Sequence, residues 1–211
     1  RMSCDGRYIA FTSAATNLVA GDTNGHRDVF IYDMMGGLLK NITLSGDNVS
    51  KSNDISCDGR YVILQTHATN LVSGDTNNVA DIVKYDTHTQ THDRVSVADD
   101  ESEGNGDSNT ASTSGDGRYV VFDSDATNFI TSDTNTKKDI FIRDTSSGTT
   151  SRLSEKIDGT AGNAQSFIGF ISKDGKYIAF TSDATNLVTG DGNTKGDVFL
   201  VDTGNTPVEC Y

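Results

Sequence analysis

Ser3-Cys4-Asp5-Gly6-Arg7-Tyr8 is the stretch that decides the architecture, because it is written four times. It returns as Ser56-Cys57-Asp58-Gly59-Arg60-Tyr61, as Ser114-Gly115-Asp116-Gly117-Arg118-Tyr119 and as Ser172-Lys173-Asp174-Gly175-Lys176-Tyr177. The Asp residues, at 5, 58, 116 and 174, lie 53, 58 and 58 apart. Each copy is followed at constant distance by Ala-Thr-Asn (15–17, 68–70, 126–128, 184–186) and then by a Gly/Ser-Asp-x-Asn segment. A fixed period of this length marks a repeat architecture, in which each unit buries its faces against its neighbours.

Asp-Gly is a hairpin signal, so strands are expected on both sides of it. Strand B reads Arg7–Thr12 in the first copy, with counterparts at Arg60–Thr66, Arg118–Ser124 and Lys176–Ser182. Alternation puts Ile9 and Phe11 on one face and Tyr8 and Ala10 on the other, so both faces are apolar. Strand C (Val29–Tyr32, Ile82–Tyr85, Ile140–Arg143, Val198–Val201) follows the same pattern in most copies. Thr150–Leu153 reads as strand D and Phe167–Ile171 as strand A of the next unit. Short antiparallel strands buried on both faces fit small sheets packed face to face around an axis. The expectation is an all-β β-propeller, one domain over 1–211, with four-stranded antiparallel blades in repeats of about 53–58 residues (near 1–50, 51–108, 109–166 and 167–211). It is either a four-bladed ring or part of a larger propeller.

The string Asp-Gly-Arg-Tyr-Ile-Ala-Phe-Thr-Ser, followed by Ala-Thr-Asn-Leu-Val, Gly-Asp-Thr-Asn and Asp-Val-Phe-Ile-Tyr-Asp, resembles the bacterial TolB-like, WD40-like β-propeller repeat. The resemblance covers essentially the whole chain. It implies a propeller, an extracellular or periplasmic location, and a scaffold for binding without catalysis. The Pro usual before Asp-Gly is replaced by Cys4, Cys57, Gly115 and Lys173, which loosens the turn and leaves the fold unchanged.

Composition narrows the partners. A net charge of −13 repels phosphate backbones and anionic lipid, which argues against nucleic acid and membrane surfaces. No run of 18 apolar residues exists to insert in a membrane. Apolar residues make up 34% of the chain and Trp is absent, so the core is expected in small parcels. The chain opens on Arg1, without a signal peptide, which reads as a processed product or a piece of something longer.

Ring closure is short. After Asp202 nine residues remain and three precede Cys4, about one strand less than four full blades need. Thr206–Tyr211 would serve as strand A of the first blade or strand D of the last. The missing strand is then expected either outside these 211 residues or from another copy of the chain, by strand addition to the incomplete blade.

The loop between strands B and C carries the strongest chemical candidate. It reads Asp22, Asn24 and Asp28 in the first copy, then Asp75, Asn77 and Asp81, then Asp133, Asn135 and Asp139, then Asp191, Asn193 and Asp197. The D-x-N-x-x-x-D spacing resembles the centre of calcium loops, where oxygens at alternate positions surround a hard cation. Asn17, Asn70, Asn128 and Asn186 would add an oxygen. The competing reading is turn capping, in which Asp and Asn bond nearby backbone amides. It gains weight because the sharp-bend Gly of a calcium loop stands only in the first copy, at Gly25.

Other motifs are weaker. Asp99-Asp100-Glu101-Ser102-Glu103 reads as a solvated, mobile loop. His88 and His92 flank a hairpin turn but lack a third ligand, and His26 and His67 lack partners. Arg7, Arg60, Arg118 and Lys176 read as structural cations, each neutralising a neighbouring Asp. Sequons stand at Asn41 and Asn48. A Cys4–Cys210 bridge would staple the ring if the C-terminal segment pairs beside the first blade; the alternative is three unpaired thiols.

No nucleophile elbow, zinc helix, Walker loop or dinucleotide fingerprint occurs. The reading is therefore a non-enzymatic secreted binding or scaffold module, calcium-stabilised if those loops hold metal, with a protein or glycan partner. The alternative is a structural subunit of an extracellular filament or other homopolymer. A polysaccharide lyase or hydrolase ranks third, because four near-identical loops do not make one asymmetric active site.

Overall fold

The computed structural model describes residues 1–131 and 133–204. Thr206–Tyr211, named above as a strand, lies outside them, as does Cys210. Four antiparallel sheets follow one another along the chain. The first holds β1 (Tyr8–Ser13), β2 (Asp28–Asp33) and β3 (Leu38–Asn41). The second holds β4 (Ser50–Ile55), β5 (Tyr61–Thr66), β6 (Asp81–Asp86) and β7 (Thr91–Arg94). The third holds β8 (Ser108–Thr113), β9 (Tyr119–Ser124), β10 (Asp139–Asp144) and β11 (Thr149–Arg152). The fourth holds β12 (Ser166–Ile171), β13 (Tyr177–Ser182) and β14 (Asp197–Asp202). Each sheet is a meander in chain order. The protein is all-β, and each repeat is one blade.

Burial on both faces has a direct cause. Val62, Ile63 and Leu64 are consecutive and all fully buried. Val62 and Leu64 join Ala10, Val29 and Ile31 of the first blade, whereas Ile63 turns the other way, to Val120 and Phe122 of the third. In β9 the split repeats: Val120 and Phe122 pack backwards, while Val121 joins Ile178 and Phe180 of the fourth blade. The three apolar cores thus lie between blades, which is why a modest apolar content suffices.

Four-stranded blades were expected throughout, and the second and third blades have four. The first has three strands plus a bridge from Met2 to Ile9, where Arg1 and Ala10 exchange backbone hydrogen bonds. The fourth has three among the described residues. Packing runs from β1 and β2 onto β4, from β4, β5 and β6 onto β8, and from β8, β9 and β10 onto β12. No comparable face joins the fourth blade to the first among the described residues, so a closed four-bladed ring is not formed by them. Val198 and Leu200 on β14 are 75% and 70% exposed, whereas Ile140, the counterpart of Val198 in β10, is fully buried by the next blade.

Candidate functional sites along the repeat

The Ser-x-Asp-Gly turn is built from its own side chains. Ser3 Oγ donates to Asp5 Oδ1 at 2.5 Å, the Arg7 amide donates to the same oxygen, and the Tyr8 amide donates to Ser3 Oγ. The same three bonds recur at Ser56, Ser114 and Ser172. The turns also link to one another, since the amides of Cys4, Cys57 and Gly115 donate to the carbonyls of Cys57, Gly115 and Lys173.

Behind each turn the cation grips its own blade. Arg7 makes a two-pronged pair with Asp33, Arg60 with Asp86 and Arg118 with Asp144, all at the end of strand C. The Arg118 guanidinium holds the Asp144 carboxyl well below the usual carboxylate range, and Arg7 does the same for Asp33. Each of these guanidinium groups also lies over the ring of the next Tyr, at 4.7–4.8 Å. Lys176 sits over Tyr177 at 4.9 Å. The reading of the three arginines as structural cations, each neutralising an Asp, agrees with this geometry.

The B–C loops have a different design from the calcium loop. Asn24 Oδ1 accepts the His26 amide, and its Nδ2 points to Asp28 and to the Gly46 carbonyl. Asn77 and Asn135 repeat this towards Asp81 and Gly104, and towards Asp139 and Gly162. Asn193 caps the Lys195 amide and donates to Asp197. Each Asn therefore offers nitrogen, not oxygen, to the second Asp. Asn70, Asn128 and Asn186 spend their side chains on other backbone groups. They clamp the connections at 45–47, 103–105 and 161–163 from the far side. Among the described residues no group of three or more His, Cys, Asp or Glu is placed to hold a metal.

A cation nevertheless sits between the paired carboxylates in two blades. Arg94, at the end of β7, places Nη2 3.5 Å from Asp75, Nε 3.3 Å from Asp81 and Nη1 2.5 Å from Glu103. Arg152, at the end of β11, places Nη1 3.3 Å from Asp133 and 3.8 Å from Asp139, and Nε 3.3 Å from Glu155. Both side chains are buried. Burial pushes the Asp81 and Asp139 carboxyls up to about 6, against the pull of Ser96 or Ser154 and the neighbouring guanidinium. These arginines escaped the sequence reading, although Arg94 and Arg152 do recur at one strand D position.

Several expectations are corrected. Cys4 is bonded to Cys57, not to Cys210: their turns are neighbours around the axis, which brings the two Cα atoms to 4.4 Å. Asn41 is buried, its Oδ1 accepting the Thr43 amide, so that sequon is shielded, while Asn48 is exposed. The acidic stretch is tied down across the blade boundary: Asp99 accepts the Thr150 amide at 2.7 Å and Glu101 pairs with Arg143. His92 Nε2 donates to the Ile42 carbonyl of the first blade, and burial lowers its pKa.

Between the first and second blades a cleft of about 280 Å³ opens at the rim. Tyr8, Leu38 and Tyr85 give it apolar walls, and Lys40, Arg60 and Gln90 give it polar ones. Lys40 Nζ donates to Tyr85 Oη and Gln90 Oε1, both at 2.8 Å, so these groups are already aligned.

The repeated blades, their two-sided cores and the linked turns define a β-propeller. The fold is that of the TolB propellers. A TolB-type protein from Agrobacterium tumefaciens superposes with a TM-score of 0.60 at 19% identity, over 96% of this chain and 60% of that one. TolB from Acinetobacter baumannii gives 0.57 at 22% identity, over 98% and 42%. The tricorn protease gives 0.57 at 12% identity, over 93% and 17%. The chain thus spans less than two thirds of each. No family model and no curated protein sequence matches the chain.

Proposed function

We propose that the chain is a non-enzymatic propeller module that binds a protein or glycan partner in an extracellular or periplasmic setting. The observation that carries this is the cleft between the first two blades, where two tyrosine rings and the aligned Lys40 and Gln90 groups combine an apolar wall with directed hydrogen bonding. The charged groups elsewhere, repeated blade after blade, serve turns and ion pairs, which supports binding over catalysis. The Cys4–Cys57 disulfide supports an oxidising compartment. The test is a glycan array and a panel of secreted proteins probed with the wild type and with Lys40→Ala and Gln90→Ala. Binding weakened at least about tenfold by both changes supports the reading, a loss of roughly 1.4 kcal/mol. No ligand in either panel, or binding indifferent to both changes, overturns it.

A second reading, self-assembly into a homopolymer, is favoured by the open face of the fourth blade. Ile168, Phe170, Tyr177, Val198 and Leu200 are all exposed on it. Sedimentation over a range of concentrations tests this. Assembly that Val198→Glu and Leu200→Glu abolish supports the second reading, and a monomer at all concentrations removes it.

A further inference from the structure

We propose that the first blade binds one calcium ion, between Asp22 and Asp28, where the second and third blades hold an arginine. The repeats act as internal controls for each other. Asn41 pairs with Phe30, as Arg94 pairs with Val83 and Arg152 with Phe141, so the three residues share one strand D position. In the later blades the guanidinium at that position bridges Asp75 to Asp81 and Asp133 to Asp139. The first blade keeps both carboxylates and replaces the bridging cation with a short neutral amide.

The consequence is a charge deficit in a buried place. Asp22 is 8% exposed and Asp28 1% exposed, and neither has an ion-pair partner among the described residues. Asp28 accepts from Thr43 Oγ1 at 2.6 Å and from Asn24. Asp22 Oδ1 is buried with no hydrogen-bond partner, and so is Asn41 Nδ2. Arg27, the nearest basic residue in sequence to Asp28, is exposed. A buried carboxylate without hydrogen bond or counter-ion is costly, and a cation at the guanidinium position removes the cost.

Donor type selects the ion. Around this position lie two carboxylates, the Thr43 hydroxyl and the Leu44 and Gly46 carbonyls that Asn24 already touches. All can offer hard oxygen and none is sulfur or imidazole, a set suited to calcium rather than zinc or copper. With two carboxylates the affinity belongs to the weak class, Kd on the order of 10⁻⁴–10⁻³ M.

Calorimetric titration of chelator-treated protein with calcium chloride tests the site. The wild type is expected to bind about one ion, with the Asp22 and Asp28 carboxylate NMR resonances shifting on titration. Asn41→Arg supplies the guanidinium of the other blades and abolishes binding, while raising Tm in chelator. Asp22→Asn abolishes binding without that gain. No calcium binding by the wild type overturns the proposal, as does binding that leaves the Asp22 and Asp28 resonances unmoved. Binding that survives Asn41→Arg also overturns it. The NMR readout is on the wild type, so a variant that fails to fold does not leave the question open.

Discussion

Tyr8 of the first blade lies so closely against Gly59 of the second that a β-carbon at residue 59 would fall 2.1 Å from its ring. Tyr61 stands in the same relation to Gly117, at 2.3 Å, and Tyr119 to Gly175, at 3.3 Å. The turn glycine thus has two duties. It takes the left-handed conformation, with φ of 73–75° at these three positions, and it leaves room for the preceding blade's tyrosine. The Arg stacked on that tyrosine then continues to the Asp of its own strand C, so one line of contacts joins turn, blade and next blade.

Gly6 separates the two duties. Its φ is 74°, but a β-carbon there would meet only Met2 Sδ, at 3.8 Å. Gly6→Ala should therefore cost only the left-handed penalty, about 1–2 kcal/mol. Gly59→Ala and Gly117→Ala should cost a further 1–3 kcal/mol or so through overpacking. Urea unfolding of the three variants checks this. Equal losses at all three would mean that the tyrosine contact contributes nothing.

The fold was readable in the sequence because one Ser-x-Asp-Gly-Arg/Lys-Tyr pattern specifies the same turn four times, and because the strand centres are apolar on both faces. Val62, Ile63 and Leu64 illustrate this: no one-sided sheet could bury three consecutive aliphatic residues. The loops were harder to read. Asp-x-Asn-x-x-x-Asp is compatible with calcium and with capping, and the deciding residues, Arg94 and Arg152, arrive from a strand thirteen residues beyond Asp81 and Asp139. The Cys4–Cys57 bond was missed for a related reason. The equivalence of the two turns is visible in the sequence, whereas their contact around the axis is a property of the packing of blades.

Arg152 carries the clearest energetic prediction. Its side chain is fully buried between Asp133 and Asp139, so Arg152→Met leaves two carboxylates without a counter-ion and should cost about 3–5 kcal/mol at pH 7. The pH dependence has a definite sign. Asp139 is raised on folding from 3.8 to about 6, so its protonated form favours the folded state. That contribution is fully present below 3.8 and lost as pH rises through about 6. The deficit of the variant should accordingly shrink as pH falls through this window. A deficit independent of pH between 4 and 7, roughly the span of the shift, would rule the charge explanation out.

The disulfide closes a loop of sequence separation 53, between two turns already joined by a Cys4 amide to Cys57 carbonyl bond. Cys57→Ser should lower stability by about 2–4 kcal/mol, and a reductant should lower the wild type by a similar amount. Non-reducing peptide mapping checks the pairing first. A peptide linking Cys4 to any other cysteine would refute it.

Arg118 offers the opposite case, an ion pair at the surface. Its side chain is 44% exposed and that of Asp144 15% exposed, so the pair is screened and Arg118→Gln should be milder than Arg152→Met at pH 7. Asp144 is depressed on folding, so its contribution is present above its ordinary value of 3.8 and lost as pH falls through the lower, folded one. The difference between wild type and Arg118→Gln should therefore persist at pH 5 and fade only in stronger acid, whereas the Arg152 deficit is already shrinking at pH 5, below the shifted Asp139 value of about 6. Carboxylate NMR titration of Asp144 reads the cause directly: a wild-type carboxyl titrating in the ordinary range would show that the fork from Arg118 does not hold it. Two arginines of one blade, one buried and one exposed, are thus distinguished by the pH at which their loss ceases to matter.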